Sequence, residues 1–165
     1  MNYFSQVKNF VDTNPHLIFP EAGATDDMLV HIKNTLKLEI KGEYLKLITN
    51  WGTLMLNGSR YSGYDGVFHY IGTKMSKLIY TVIDHTQNCR NQGFDNKYIA
   101  FVSIEGDEFL CLDPSIDGLQ PIFRWDYFQQ QMVGQVSESL FELIWDDINE
   151  CVIPTAKREG NIVNL

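Results

Sequence analysis

His85 and Cys89 stand four residues apart in a stretch of helical periodicity, so their side chains share one face of the predicted helix. An imidazole beside a thiol can ligate a metal ion or form an activated nucleophile. A structural zinc site needs four ligands, and no second pair at ligand spacing occurs; His16, His31 and His69 are dispersed. The ordinary reading is two partly buried polar residues. Asp113-x-Ser115-x-Asp117-Gly118 imitates the start of a calcium loop, but Arg124 stands where the closing Glu belongs, which excludes it. Gly58, Gly63 and Gly66 lack phosphate-loop spacing, and no Gly-Lys-Ser/Thr follows. Asp107 and Glu108 are adjacent carboxylates suited to acid–base work, yet they fall at a hairpin turn, where solvation explains them. No Gly-x-Ser-x-Gly elbow occurs. These residues name no enzyme mechanism, metal or cofactor, and the expectation is a non-catalytic protein.

The charge distribution is more informative. From Tyr98 to Glu150 there are eleven carboxylates and one base, Arg124. The residues before and after this third of the chain are each within one charge of neutrality, so the net charge of −8 originates here. Solubility alone does not require that asymmetry. A sequence pI near 4.8 argues against direct nucleic-acid binding, which needs clustered Lys and Arg. An acidic protein can instead meet a basic one.

The acidic third contains three runs with strand chemistry: Tyr98–Ile104, Phe109–Leu112 and Pro121–Trp125. Glu105-Gly106-Asp107 marks a tight hairpin, and Asp113-Pro114 with Asp117-Gly118 marks a second turn. The first run is apolar on both faces, which predicts a central strand. Tyr127–Gly134 has no clear period. Ser137 reads as the cap of a last helix with Leu140, Phe141, Ile144, Trp145 and Ile148 on one stripe. Asp146, Asp147 and Glu150 then fall near its C-terminal end, where the macrodipole disfavours anions. No period is evident after Val152.

Upstream, residues 3–13 have helical spacing, stopped by Asn14-Pro15. His16–Pro20 reads as an apolar connector. Thr25-Asp26-Asp27 starts a helix that buries Met28, Leu29, Ile32 and Leu36. A further helix runs from Gly42 to Asn50, burying Tyr44, Leu45, Leu47 and Ile48, and stops at Gly52. Leu54–Leu56 is a strand, Asn57-Gly58 a turn and Tyr61–Gly66 a loop. Lys74–Asn91 is helical, with Met75, Leu78, Ile79, Val82 and Ile83 inward, and ends at Gly93. Helices first, turn-joined strands in the middle and a helix last predict an α+β fold: a single, mostly antiparallel sheet flanked by N-terminal, middle and C-terminal helices.

At 165 residues and 44% hydrophobic content the chain is read as one domain, residues 1–165, with a real core. No apolar run approaches the roughly 20 residues that span a bilayer, and the N-terminus has no signal-peptide pattern. Cys89, Cys111 and Cys151 are an odd, scattered set, which points to a reducing compartment, so the cytoplasm is expected.

Ile40-x-x-x-Tyr44-x-x-Leu47-Ile48-x-Asn50-x-Gly52 resembles the Leu-Pro-x-x-Tyr-x-x-Phe-Leu-x-x-Asn-Gly signature of the SUKH superfamily. Asp113 after a strand resembles that group's Tyr-x-Leu-Asp step. Pro121-Ile-Phe-Arg-Trp-Asp126 resembles its Pro-Val-Val-x-Trp-Asp strand, and Ser139–Ile144 its Ser-Phe-x-x-Phe-Leu helix. Thr81 and Arg90 fit loosely the Thr and Arg of the preceding helix. The ordered match runs from about residue 25 to 150. Lys41 replaces the expected Pro, and the first helix and the tail lie outside the pattern.

The resemblance implies one sheet flanked by helices. It further implies a role like that of the bacterial members, immunity proteins that bind and neutralise toxins, often nucleases. The alternative it implies is a regulatory scaffold like the Smi/Knr-type cell-wall regulator, with a cellular protein partner. The expected partner is a cognate toxin with a basic surface, met by a monomer or weak dimer, with no nucleic acid or membrane contact. The expected contact charges are Glu105, Asp107, Glu108, Asp113, Asp117 and Asp126, with Tyr61, Tyr64 and Trp125 as aromatic anchors.

Overall fold

The computed structural model describes residues 2–20, 22–57, 67–70, 82–104 and 107–165, with the backbone alone at 19, 20, 57 and 67–70. The expected turn at Gly58 and Gly106, the loop from Tyr61 to Gly66 and the first part of the helix expected from Lys74, with Met75, Leu78 and Ile79, lie outside these residues.

The first helices form where periodicity and caps place them. Asn2 accepts the Ser5 amide at 3.2 Å and opens α1 (Tyr3–Thr13), which buries Val7, Phe10 and Val11. Thr25 caps α2 (Asp26–Leu36), with Asp26 and Asp27 in its first turn and Ile32 and Leu36 buried. At the end of α2 the Leu36 carbonyl accepts Arg90 Nη1 at 2.9 Å, which satisfies one group that helix geometry leaves open. α3 (Gly42–Trp51) buries Tyr44, Leu47, Ile48 and Trp51 and ends on Gly52.

The strands pair antiparallel throughout. His16–Pro20, expected as a connector, contains β1 (Ile18–Pro20), which pairs with β2 (Leu54–Asn57); three residues are too few to show an alternation, and β2 recruits them. β3 (Val67–Tyr70) completes this sheet in the order β1-β2-β3. α4 (Val82–Arg90) leads into a meander of β4 (Ile99–Ile104), β5 (Glu108–Leu112), β6 (Ile122–Asp126) and β7 (Gln131–Ser137), in the order β4-β5-β6-β7.

The α+β class and the antiparallel pairing are therefore present. Among the described residues the antiparallel pairing runs in two ladders with β3 close to β4, and β4, expected as a central strand, ends its own ladder. The physical reason is visible at Ala100. Its amide donates to Thr86 Oγ1 of α4 at 3.0 Å rather than to another strand, and a bulge follows between Ala100 and Val102. β4 is apolar on both faces because α4 packs on it and β3 lies close by.

The four-stranded sheet has two apolar faces. Ile99, Phe101, Leu110, Leu112 and Ile122 enter the main core with the helices. Ala100, Phe109, Cys111 and Trp125 enter a smaller core with Cys89 and Phe94. β5 shows the alternation directly, Leu110 and Leu112 on one side and Phe109 and Cys111 on the other.

The last helix starts later and ends later than its sequence suggests. Ser139, not Ser137, is the cap of α5 (Leu140–Asp147); Ser137 closes β7. α5 continues through a π-helical turn (Ile148–Val152) into α6 (Ile153–Arg158). Pro154 lacks an amide hydrogen and reads as a stop. The wider turn just before it, closed by the Ile153 amide on the Ile148 carbonyl, carries the helix past that position. Asp146, Asp147 and Glu150 thus lie within the run, and its final turn carries Lys157 and Arg158, the sign the macrodipole favours. The tail is tied back to α1: Asn14 Nδ2 donates to the Asn164 carbonyl at 2.7 Å, and the Asn164 amide donates to Asn14 Oδ1 at 2.8 Å.

One buried carboxylate joins these parts. Glu43, 5% exposed, accepts the Gln120 amide at 3.0 Å, the Ser139 hydroxyl at 2.6 Å and the Leu140 amide at 2.9 Å. Gln120, fully buried, accepts the Tyr44 amide at 2.7 Å and donates to the Ile116 carbonyl at 2.9 Å. Gly42 lets the two segments meet: a Cβ there would stand 2.5 Å from the Ile116 carbonyl oxygen, and its φ is +56°. Glu43→Ala leaves three buried donors without an acceptor. It is expected to lower unfolding stability by at least about 3 kcal/mol, with Glu43→Gln intermediate because it keeps one oxygen. Urea denaturation of the three proteins checks this; losses under about 1 kcal/mol for both variants would show the network to be dispensable.

Candidate functional site

Asp107, Glu108 and Asp126 meet at one end of the meander. Glu108 and Asp126 are register partners across β5 and β6, and the Asp107 carbonyl accepts the Tyr127 amide at 2.8 Å. The Arg124 guanidinium lies 3.5 Å from the Glu108 carboxylate, with both side chains partly exposed. Such a pair contributes at most about 1 kcal/mol. Asp126 Oδ1 accepts the Gln129 amide at 2.7 Å and shapes the turn between β6 and β7.

Asp113 and Asp117 lie at the opposite end of β5. The five-residue strand separates the two groups by about 17 Å at roughly 3.3 Å per residue. Asp113 Oδ1 accepts both the amide and the hydroxyl of Ser115, at 2.9 and 2.6 Å, which is a turn device rather than a calcium site. The expected acidic face therefore divides into two ends. Glu105, Tyr61 and Tyr64 lie outside the described residues.

Trp125 is 5% exposed, with its ring 5.2 Å from Phe94 in the smaller core. It reaches a partner only by leaving that core. The aromatic side chain at the acidic end is instead Phe128, 73% exposed, which sequence reasoning passed over. Tyr127 beside it packs inward on Phe109 at 6.0 Å, so adjacent rings divide between core and solvent. An Asp with aromatics one and two residues on, in a stretch without a period, was the available signal for a turn that displays a ring.

His85 and Cys89 do share a face of α4, but that face is inside. His85 packs on Phe109 at 5.4 Å, and Cys89 is buried. Burial pushes the Cys89 thiol up to about 12, and burial with the neighbouring Cys89 raises Cys111 as well. Both shifts run opposite to those of a reactive thiolate. Among the described residues no group of three or more His, Cys, Asp and Glu side chains is placed to hold a metal ion. No described helix is long and apolar enough to cross a membrane.

A family model described as SUKH_5, SMI1-KNR4 cell-wall, matches residues 7–149. No curated protein matches the chain. Among solved structures, a protein from Pseudomonas syringae pv. tomato is similar at a TM-score of 0.60 and 12% identity, over 87% of this chain and 96% of that one. At that identity the likeness is one of fold. The family match takes in α3, the meander and α5, and it also reaches α1, which the motif resemblance had left outside.

The geometry of α4 makes a kinetic prediction. A thiol pushed up to about 12 is ionised in only about one molecule in 10,000 at pH 8. Native Cys89 is expected to react with iodoacetamide far more slowly than the urea-unfolded chain at the same pH, and His85→Ala to leave that slow rate without a nucleophile's loss. Mass-spectrometric labelling checks both; fast native alkylation abolished by His85→Ala would reinstate the thiol–imidazole pair.

Proposed function

From the premise that this chain belongs to the SMI1-KNR4 cell-wall family, SUKH_5, we propose that it is a non-catalytic, cytoplasmic immunity protein that binds a toxin and occludes it. The observation that carries this reading is the concentration of eleven carboxylates against one base in residues 98–150, with Asp107, Glu108 and Asp126 gathered at one end of the four-stranded sheet. A nuclease surface is basic because it holds phosphates. Carboxylates fixed on a sheet end compete for that surface and steer the encounter. The protein acts as a monomer or weak dimer and needs no cofactor. The family's cell-wall description favours a second reading, a regulatory scaffold for a cellular enzyme. Gene neighbourhood separates the two: an adjacent large secreted toxin supports immunity, and a cell-wall enzyme as sole binding partner supports the scaffold.

Two measurements test the first reading. Co-expression with the toxin domain encoded beside this gene is expected to restore growth; equal survival with and without this protein would sink the proposal. Asp107→Asn with Glu108→Gln is expected to slow association about tenfold at 0.01 M salt and to have little effect at 1 M, where the Debye length falls from about 30 to about 3 Å. Melting temperature should stay nearly constant, because an exposed turn charge and a partly exposed ion pair contribute little to folding. Surface-plasmon kinetics across a salt series check the rate; superimposed curves would remove these two acids from the interface.

A further inference from the structure

The β6–β7 hairpin carries an uncharged outer surface in the most acidic third of the chain. From Tyr127 to Ser137 there is no charged residue, yet Phe128 is 73%, Val133 45% and Val136 44% exposed. β7 is the terminal strand of its ladder. Both exposed valines fall where the register shifts: Val133 between the residues paired with Arg124 and Trp125, and Val136 between those paired with Ile122 and Phe123. Bulges bend an edge strand and turn the extra residue out of the regular alternation. This edge is therefore a poor template for adding a flat strand, and a better one for presenting side chains.

The turn that carries Phe128 is fixed on every side. Asp126 Oδ1 accepts the Gln129 amide at 2.7 Å, the Tyr127 amide donates to the Asp107 carbonyl at 2.8 Å, and Gln130 Nε2 donates to Gln92 Oε1 at 3.0 Å. Gln130 itself takes φ +53°, a conformation that non-glycine residues seldom adopt. An aromatic ring on a turn so constrained loses little freedom on binding.

We infer that the β6–β7 hairpin is the docking surface, with Phe128 as the anchor and Val133 and Val136 as a secondary apolar contact, for a protein surface that has an apolar hollow rimmed by Lys and Arg. The charge pattern selects this occupant. Asp107, Glu108 and Asp126 stand at one end of β7, and Glu138 and Glu142 follow the other. Two copies of this chain paired antiparallel along β7 would bring acidic ends together, whereas a partner with a basic rim meets opposite charge at both ends. The apolar strip supplies contact area that outlasts salt, and the flanking acids supply orientation.

This inference rests on the protein-binding reading, and the experiment separates the two. The probe is the toxin domain encoded beside this gene, catalytically silenced, titrated into the full chain and into Phe128→Ser, Val133→Thr/Val136→Thr and Asp113→Asn/Asp117→Asn. Phe128→Ser is expected to raise Kd about tenfold or more and to speed dissociation, the valine pair about threefold or more, and the Asp113/Asp117 variant less than about twofold. Hydrogen exchange on the unaltered complex is expected to show protection across 126–137. Thermal melts confirm that the variants fold, as substitutions at exposed positions should. If the unaltered chain binds and all three variants match it, or protection falls elsewhere, the docking surface is overturned while the binding reading stands. If the unaltered chain does not bind, both fall. Sedimentation that shows a dimer dissociated by Phe128→Ser overturns the inference in favour of a second copy.

Discussion

The Glu43 carboxylate is the interaction on which the arrangement of the molecule depends. It lies in the first turn of α3, and the Leu140 amide it accepts is the first of α5. Two helix N-termini thus converge on one anion, which the positive ends of both macrodipoles favour. Its third donor, Ser139, is the cap of α5 and accepts the Glu142 amide while donating to Glu43. The sequence separation between Glu43 and its partners is 77 residues for Gln120 and 97 for Leu140. Few local preferences bring such distant segments together. A buried acceptor with three donors does so because every alternative arrangement leaves charged or polar groups unpaired.

That junction also fixes what the meander can expose. Gln120 stands just before β6, and Ser139 just after β7, so the hairpin between them is anchored at its base to α3 and α5. The far end of the hairpin is free of the main core. There Phe109 and Trp125 fill the smaller core beneath, and Asp107, Asp126 and Phe128 are left at the surface. The acidic end and the exposed ring follow from the same geometry, a hairpin held at one end and supported from below on one face.

How much of this could be read in advance differs by element. α1, α2 and α3 were legible from apolar spacing, supported by a stop signal after α1 and α3 and by a capping residue before α2. β4, β5 and β6 were legible from turn chemistry. β7 was not, because its two bulges break the period-two alternation and its Gln-rich residues carry little strand preference. α6 was not legible because no period is evident after Val152, and its continuation past Pro154 depends on the π-helical turn before it. At the candidate site the types were readable and the placement was not. Neighbouring positions on a strand face opposite ways, so Trp125 lies in a core while Asp126 shapes a surface turn. Glu43 looked like any acid in the first turn of a helix. Nothing local distinguishes it, since its partners come from beyond residue 119.

The carboxylates of this chain therefore answer to two different physical demands. Glu43 is buried, accepts three hydrogen bonds and has no neutral substitute that preserves them all. Asp107, Glu108 and Asp126 stand at a sheet end where water screens them, and the fold loses little when they change. Asp126 is the partial exception, since its carboxylate also closes the turn that carries Phe128. A domain built this way can alter its acidic display without disturbing the junction that positions it. The fold by itself therefore names no partner. Asp147, 1% exposed, shows that a buried carboxylate also occurs within the acidic third, so charge count alone does not say which demand an acid answers.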